Sequence, residues 1–132
     1  LKFGNATMYL GYLGLLIHYL FEILQLTGVW SFGTVTLHSF TLLCLGLVVP
    51  SMLIRVSQGH TGRKPLFLQF DRGALFLLLL SAVLRLALPI VWPDHYSTWI
   101  LFAGLCWSVA YLILGFRLIP FLLQKRVDGK EH

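Results

Sequence analysis

His18 and Glu22 lie one helical turn apart in an otherwise apolar stretch of the chain, and His38 and Arg85 are embedded in two further stretches of the same kind. An imidazole pair on neighbouring helices can ligate haem iron or copper. A carboxylate beside such a ligand can orient its ring, and an arginine can pair with a carboxylate such as a haem propionate. His18 and His38 are therefore the metal-ligand candidates, and His18, Glu22, His38 and Arg85 together are the cofactor-binding candidates. The plainer alternative makes His18 and Glu22 a polar pair satisfied within a helix bundle, with Arg85 as their counter-charge. Cys44 and Cys106 also fall in apolar stretches, off the polar stripes and without C-x-x-C spacing. They read as small packing residues rather than copper ligands, and Met52 reads as core filling.

The elements that must position these residues follow from composition. Of 132 residues, 58% are apolar and 11% are Asp, Glu, Lys or Arg. An average soluble domain is roughly 25% charged, so a water-soluble surface cannot be built from this chain. A soluble enzyme, a secreted disulfide scaffold and a disordered tail are excluded, which leaves an integral membrane protein. A bilayer core about 30 Å thick takes roughly 20 apolar residues of helix, and four segments qualify: 8–26, 34–54, 73–92 and 97–119. Short connections join the first pair and the last pair. The expected fold is an all-α, polytopic membrane domain of four transmembrane helices arranged as two antiparallel hairpins. A loop over 55–72 joins the hairpins, and a polar tail covers 120–132.

Ionisable side chains within a span are costly and face a bundle interior or a cavity. At about 1.5 Å rise per residue, Glu22 and His38 sit roughly 6 Å inside one end of the bundle and His18 and Arg85 a turn deeper. The four share one layer. Inward stripes are expected from Gly11, Gly14 and Gln25 beside His18 and Glu22, and from Thr34, His38, Thr41, Met52 and Arg55 on the second span. The third span offers Ser81 and Arg85; the fourth offers Gly104, Ser108, Tyr111 and Gly115. Pro50 is expected to loosen the second span ahead of Arg55.

The net charge of +5 points to topology rather than to nucleic acid. Lys2, Arg63, Lys64, Arg72, Lys125, Arg126 and Lys130 fall on one side of the four-span arrangement, and the two short loops opposite carry no Lys or Arg. The positive-inside bias then makes both termini and the middle loop cytoplasmic. Trp30, Trp92 and Trp99 lie at the far end, as interfacial aromatic residues do. Within the middle loop, Gly59 and Gly62 free the backbone around His60 and Thr61 while Arg55 and Arg63 flank the turn. Such a loop can hold an anion, a haem propionate or a carboxylate; it can also be only a positive loop against lipid headgroups. His60 is expected to close the turn or bind the anion. His95, beside Asp94, reads as a solvated turn residue.

The run Leu37-His38-Ser39-Phe40-Thr41, followed by Arg55-Val56-Ser57-Gln58-Gly59-His60-Thr61-Gly62-Arg63, resembles the signature of the NnrS family. That pattern is a helix bearing a His and a Thr that leads into an R-x-S-x-G-H-T-G-R turn. The tail Arg126-Val127-Asp128-Gly129 is similar to the basic-Val-Asp-Gly ending common in the family. The resemblance covers the second span to the C-terminus and, loosely, the polar face of the first. By position, His38, Thr41, Arg55, Ser57, Gly59, His60, Thr61, Gly62 and Arg63 match the motif.

The resemblance implies a multi-pass bacterial inner-membrane protein that binds haem and copper. It also implies a role in the response to nitric oxide and nitrosative stress, often beside denitrification genes, with nitric oxide or a nitrosylated species as a partner. Family members carry many more spans, so the chain, which starts at Leu1 without a signal-peptide n-region, is expected to be a C-terminal four-span portion joined by further transmembrane helices. Two other readings of the residues stand beside this one. The first is a cofactor-free transport or sensing module with a buried His/Glu/Arg polar path; the second is a structural element assembling through its glycine stripes. No reaction is assigned, because the sequence has no nucleophile triad, nucleotide loop or paired-carboxylate arrangement.

Overall fold

In a computed structural model of the chain, residues 2–129 are described. Leu1, Lys130, Glu131 and His132, and the side chains of Lys2 and Phe3, lie outside the described residues, so the orientation roles expected of Lys2 and Lys130 fall there. Four helices are long and apolar enough to cross a membrane. They are α1 (Lys2–Leu26), α2 (Thr34–His60), α3 (Gln69–Val91) and α4 (Tyr96–Leu123), the last entered through a 3-10 turn at Pro93–His95.

The connection between α2 and α3 is shorter than expected. The first six of the nine residues of the glycine-arginine motif, Arg55 to His60, are the end of α2, and only 61–68 is non-helical. Nothing in Arg55–His60 blocks helix; Gly62 ends it in the left-handed region (φ 73°), where the Arg63 N–H reaches back to the Gln58 carbonyl at 2.8 Å. The buried Thr61 hydroxyl donates to the carbonyls of Ser57 (2.8 Å) and Gln58 (3.1 Å). At the other side, the Asp71 carboxylate accepts the Leu68 N–H at 2.9 Å and satisfies a donor that the start of α3 leaves open. Helix α4 likewise runs through Pro120 to Leu123. The proline falls in the last turn, where its missing donor costs one terminal hydrogen bond.

Contacts between α1 and α2 pair ascending residues of one with descending residues of the other. The Thr7 and Ser51 hydroxyls bond at 2.8 Å, Gly11 lies against Val48, Gly14 against Leu43 and Cys44, and His18 and Gln25 reach Thr36. The pairing of α3 with α4 has the same sense: Asp71 with Arg117, the Ser81 hydroxyl to the Ala103 carbonyl at 2.8 Å, and Arg85 with Tyr96. The core forms where the pairs meet, from Leu47 and Ile54 of α2, Ala74, Leu75 and Leu78 of α3, and Ala110, Leu114 and Leu118 of α4. Lipid tails remove the hydrophobic drive between helices, so association depends on close approach at small residues. A Cβ on Gly11 would stand 2.5 Å from the Val48 side chain, and one on Gly14 would stand 3.0 Å from the Cys44 backbone nitrogen.

Two expected stripes turn out differently. In α2, residues Ser39–Leu45 form a π-helix, and the Gly46 N–H reaches back five residues to the Thr41 carbonyl. The wider turn shifts the helix face, so residues before and after it no longer continue one stripe. Met52 is 42% exposed rather than core filling. Pro50, expected to loosen the helix, lies instead inside continuous α-helix from Gly46 to His60 and leaves only the Gly46 carbonyl without its usual donor. In α4 the buried face is Ala103, Ala110, Leu114 and Leu118, while Gly104 and Ser108 are exposed. The alanines win this face because they let α3 come close enough for Ser81 to reach a main-chain carbonyl. Cys44 is buried in the α1–α2 contact, in keeping with a packing role.

Candidate functional site

Three of the four cofactor candidates lie at one level of the bundle. His38 projects from the last α-helical residue before the π segment, and the Arg85 guanidinium on α3 donates to its Nε2 at 2.8 Å. An arginine is only a donor, so His38 Nε2 is the acceptor and its lone pair is occupied. Arg85 also stands over the Tyr96 ring at 5.8 Å. His18 reaches α2 from the other side. Its Nδ1 lies 3.0 Å from the Thr36 carbonyl and 3.5 Å from the Ser39 hydroxyl, and its ring centroid is 5.2 Å from that of Phe40.

A carbonyl oxygen only accepts, so His18 Nδ1 carries a proton, and in the neutral ring Nε2 keeps its lone pair. A carbonyl behind one ring nitrogen is how ligating histidines are usually held. The two histidines face different neighbours across the same turn of α2. Glu22, one turn from His18, makes no hydrogen bond or ion pair among the described residues; the ring is oriented by the Thr36 carbonyl instead, and Arg85 pairs with His38 rather than with Glu22.

These positions bear directly on a haem or copper site. His18 has its ring held by the Thr36 carbonyl and makes no hydrogen bond through Nε2 among the described residues, which is what an axial ligand would require. His38 fits one only with Arg85 turned away. Among the described residues, no three His, Cys, Asp or Glu side chains gather as a group that could hold a metal ion.

At the opposite end, the motif turn closes on the chain's own tail. Buried Gln58 brackets Leu66, donating Nε2–H to its carbonyl at 3.0 Å and accepting its N–H at 2.8 Å. The Thr61 carbonyl accepts the Val127 N–H at 3.1 Å. Gly62 has φ 73°, and a Cβ there would stand 2.8 Å from the Asp128 carboxyl carbon. The carboxylate lodged at this turn is therefore Asp128, which Arg126 holds with two bonds of 2.9 and 2.6 Å. That hydrogen bond raises the Arg126 pKa above its ordinary value.

The two flanking arginines do not converge. Arg55 donates to the Asn5 side-chain amide oxygen, Oδ1, and lies over Phe67, whereas Arg63 lies 4.4 Å from the Phe121 ring centroid and donates to Gln124 at 3.0 Å. Ser57 is buried beneath the turn and Gly59 is exposed. His60 does not close the turn; Thr61 and Gln58 do. It is exposed beside a shallow recess shared with Val56, Gly59 and Arg126.

One buried pair escaped the sequence reading. Asp71 is fully buried and ion-paired with Arg117, whose side chain is 11% exposed. Both stand near span ends, where charges are unremarkable. The usable signal was the coincidence of one acid and one base at the same end of two consecutive spans.

Compared with known families, residues 5–126 match the model of the NnrS family, described as NnrS protein. No match was found among curated proteins or among solved structures.

Proposed function

The chain belongs to the NnrS family, and from that membership we propose that it acts in the bacterial nitric oxide response as a haem- and copper-binding protein of the inner membrane, with His18 as an axial ligand. The observation that carries the reading is the His18 ring, held through Nδ1–H by the Thr36 carbonyl with Nε2 open. Bound haem iron would supply a coordination site for nitric oxide. His38 is the second ligand candidate, held in reserve by Arg85, and Arg85 is the cation suited to a carboxylate of the cofactor. Glu22 is the acid nearest His18 along α1.

The same reading places both termini and the motif turn in the cytoplasm, following the basic residues. It takes α1–α2 and α3–α4 as two hairpins within one membrane domain. Further transmembrane helices would pack on the exposed Gly104 and Ser108 of α4.

The test is haem reconstitution of the detergent-purified chain, read as Soret absorbance and haem stoichiometry. His18→Ala should lose most of the band, whereas His38→Ala should keep it. An unchanged spectrum and stoichiometry in His18→Ala would remove His18 from the site. Folded protein with far less than one iron and one copper would favour a cofactor-free transport or sensing role.

A further inference from the structure

Two recesses at the motif end meet at Arg117. One, about 410 Å³, is lined by Arg63, Lys64 and Arg117 together with Leu66 and Phe121. The other, also about 410 Å³, is apolar and lined by Phe70, Ile113, Phe116 and Arg117. Because α4 runs from the far end toward the motif end, Ile113 lies about 6 Å deeper in the span than Arg117, at 1.5 Å rise per residue. The charged recess thus sits at the end of the bundle, and the apolar one extends from it along the span. Asp71 offsets Arg117, and Arg126 offsets Asp128, whose carboxylate borders Gly62 on the same recess, which leaves Arg63 and Lys64 as the excess. Arg63 also keeps one buried guanidinium nitrogen, Nη1, without a hydrogen-bond partner, although its Nη2 is used by Gln124.

From this we infer a binding site for one anionic phospholipid, with its phosphate among Arg63, Lys64 and Arg117 and an acyl chain along Phe70, Ile113 and Phe116. A basic pocket between helices at the membrane surface suits a lipid phosphate, and guanidinium groups suit its paired oxygens. A soluble anion would have no use for the apolar recess that shares Arg117. The arrangement explains why Arg117 stands at the junction, reaching Asp71 on one side and the headgroup on the other. It is independent of whether His18 binds haem.

The experiment is native mass spectrometry of the delipidated full chain, titrated with phosphatidylglycerol or with phosphatidylcholine of the same acyl length. Phosphatidylglycerol should bind with clear preference. One basic group near an anionic headgroup is worth roughly a factor of five in affinity. The double variant R63Q/K64Q should therefore bind phosphatidylglycerol about 25-fold more weakly while its circular dichroism is unchanged. Should that variant fail to fold, I113Q/F116Q keeps the cations and should weaken long-chain phosphatidylglycerol several-fold. Equal binding of the two lipids would overturn the site, as would wild-type affinity in a folded variant of either kind. Competition by sn-glycerol 3-phosphate at the lipid's own concentration would also overturn it, by showing a phosphate site with no use for the acyl chain.

Discussion

Removing one member of the Asp71–Arg117 pair should cost far more than removing both. Asp71 is fully buried and Arg117 is 11% exposed. A pair of unit charges about 4 Å apart is worth about 4 kcal/mol at an effective dielectric near 20. Arg117→Leu deletes that attraction and strands a carboxylate away from water, so it should destabilise the bundle by about 3–5 kcal/mol. Asp71→Asn is milder, about 2 kcal/mol, because the arginine has a long stem and can carry its charge toward the membrane surface. The asparagine oxygen can still accept the Leu68 N–H that Asp71 now accepts at 2.9 Å. In Asp71→Asn/Arg117→Leu no charge is stranded and the cap persists, so the net cost should fall to about 1 kcal/mol. The two singles sum to at least about 5 kcal/mol, leaving a coupling of roughly 4 kcal/mol. Reversible unfolding of the four proteins in mixed detergent micelles, followed by far-ultraviolet circular dichroism, measures the cycle. Single costs that add to within about 0.5 kcal/mol of the double would refute a coupled buried pair.

Arg85→Gln should release His38 Nε2 and shift the haem spectrum of the reconstituted chain toward a second nitrogen ligand; an identical spectrum would show that Arg85 does not restrain His38. Gly62→Ala combines a left-handed backbone position with a Cβ placed 2.8 Å from the Asp128 carboxyl carbon. It should cost about 1–2 kcal/mol and loosen the tail, seen as faster proteolysis after Gln124. Gly14→Leu should break the α1–α2 contact and lower thermal stability in detergent. Gly104→Leu, where a Cβ meets open space, should leave that stability within about 0.5 kcal/mol.

The existence of four spans was legible because hydrocarbon imposes length and apolarity on each segment directly. The shared level of His18, His38 and Arg85 was legible too, since depth is counted along the helix and short loops keep the count in register. Facing is a different quantity. It depends on rotation, and the π segment at Ser39–Leu45 changes the rotation of α2 without leaving any polar mark; Met52 moves out of the core for that reason. On α4, small size alone points to Gly104 and Ser108 as the packing face, yet both are exposed. Ala103 and Ala110 are nearly as small and match α3 better. The motif turn was legible as a turn and as a place for a carboxylate. That the carboxylate is Asp128 depends on the tail folding back, a contact between residues more than 60 positions apart.

The π segment also makes α2 unequal in its tolerance of changes in length. Elsewhere in a membrane helix, deleting one residue rotates everything beyond it by about 100°, at 3.6 residues per turn, and carries polar groups into lipid. Within Ser39–Leu45 the chain already holds more residue than a regular helix needs, since Gly46 bonds five residues back instead of four. A single-residue deletion there can be absorbed by restoring ordinary hydrogen bonding. Both ends of the span then keep their places, His38 beside Arg85 and Arg55 beside Asn5. Among chains of this architecture, a one-residue length difference in α2 therefore belongs in this segment, where it leaves the histidine layer and the motif turn in register.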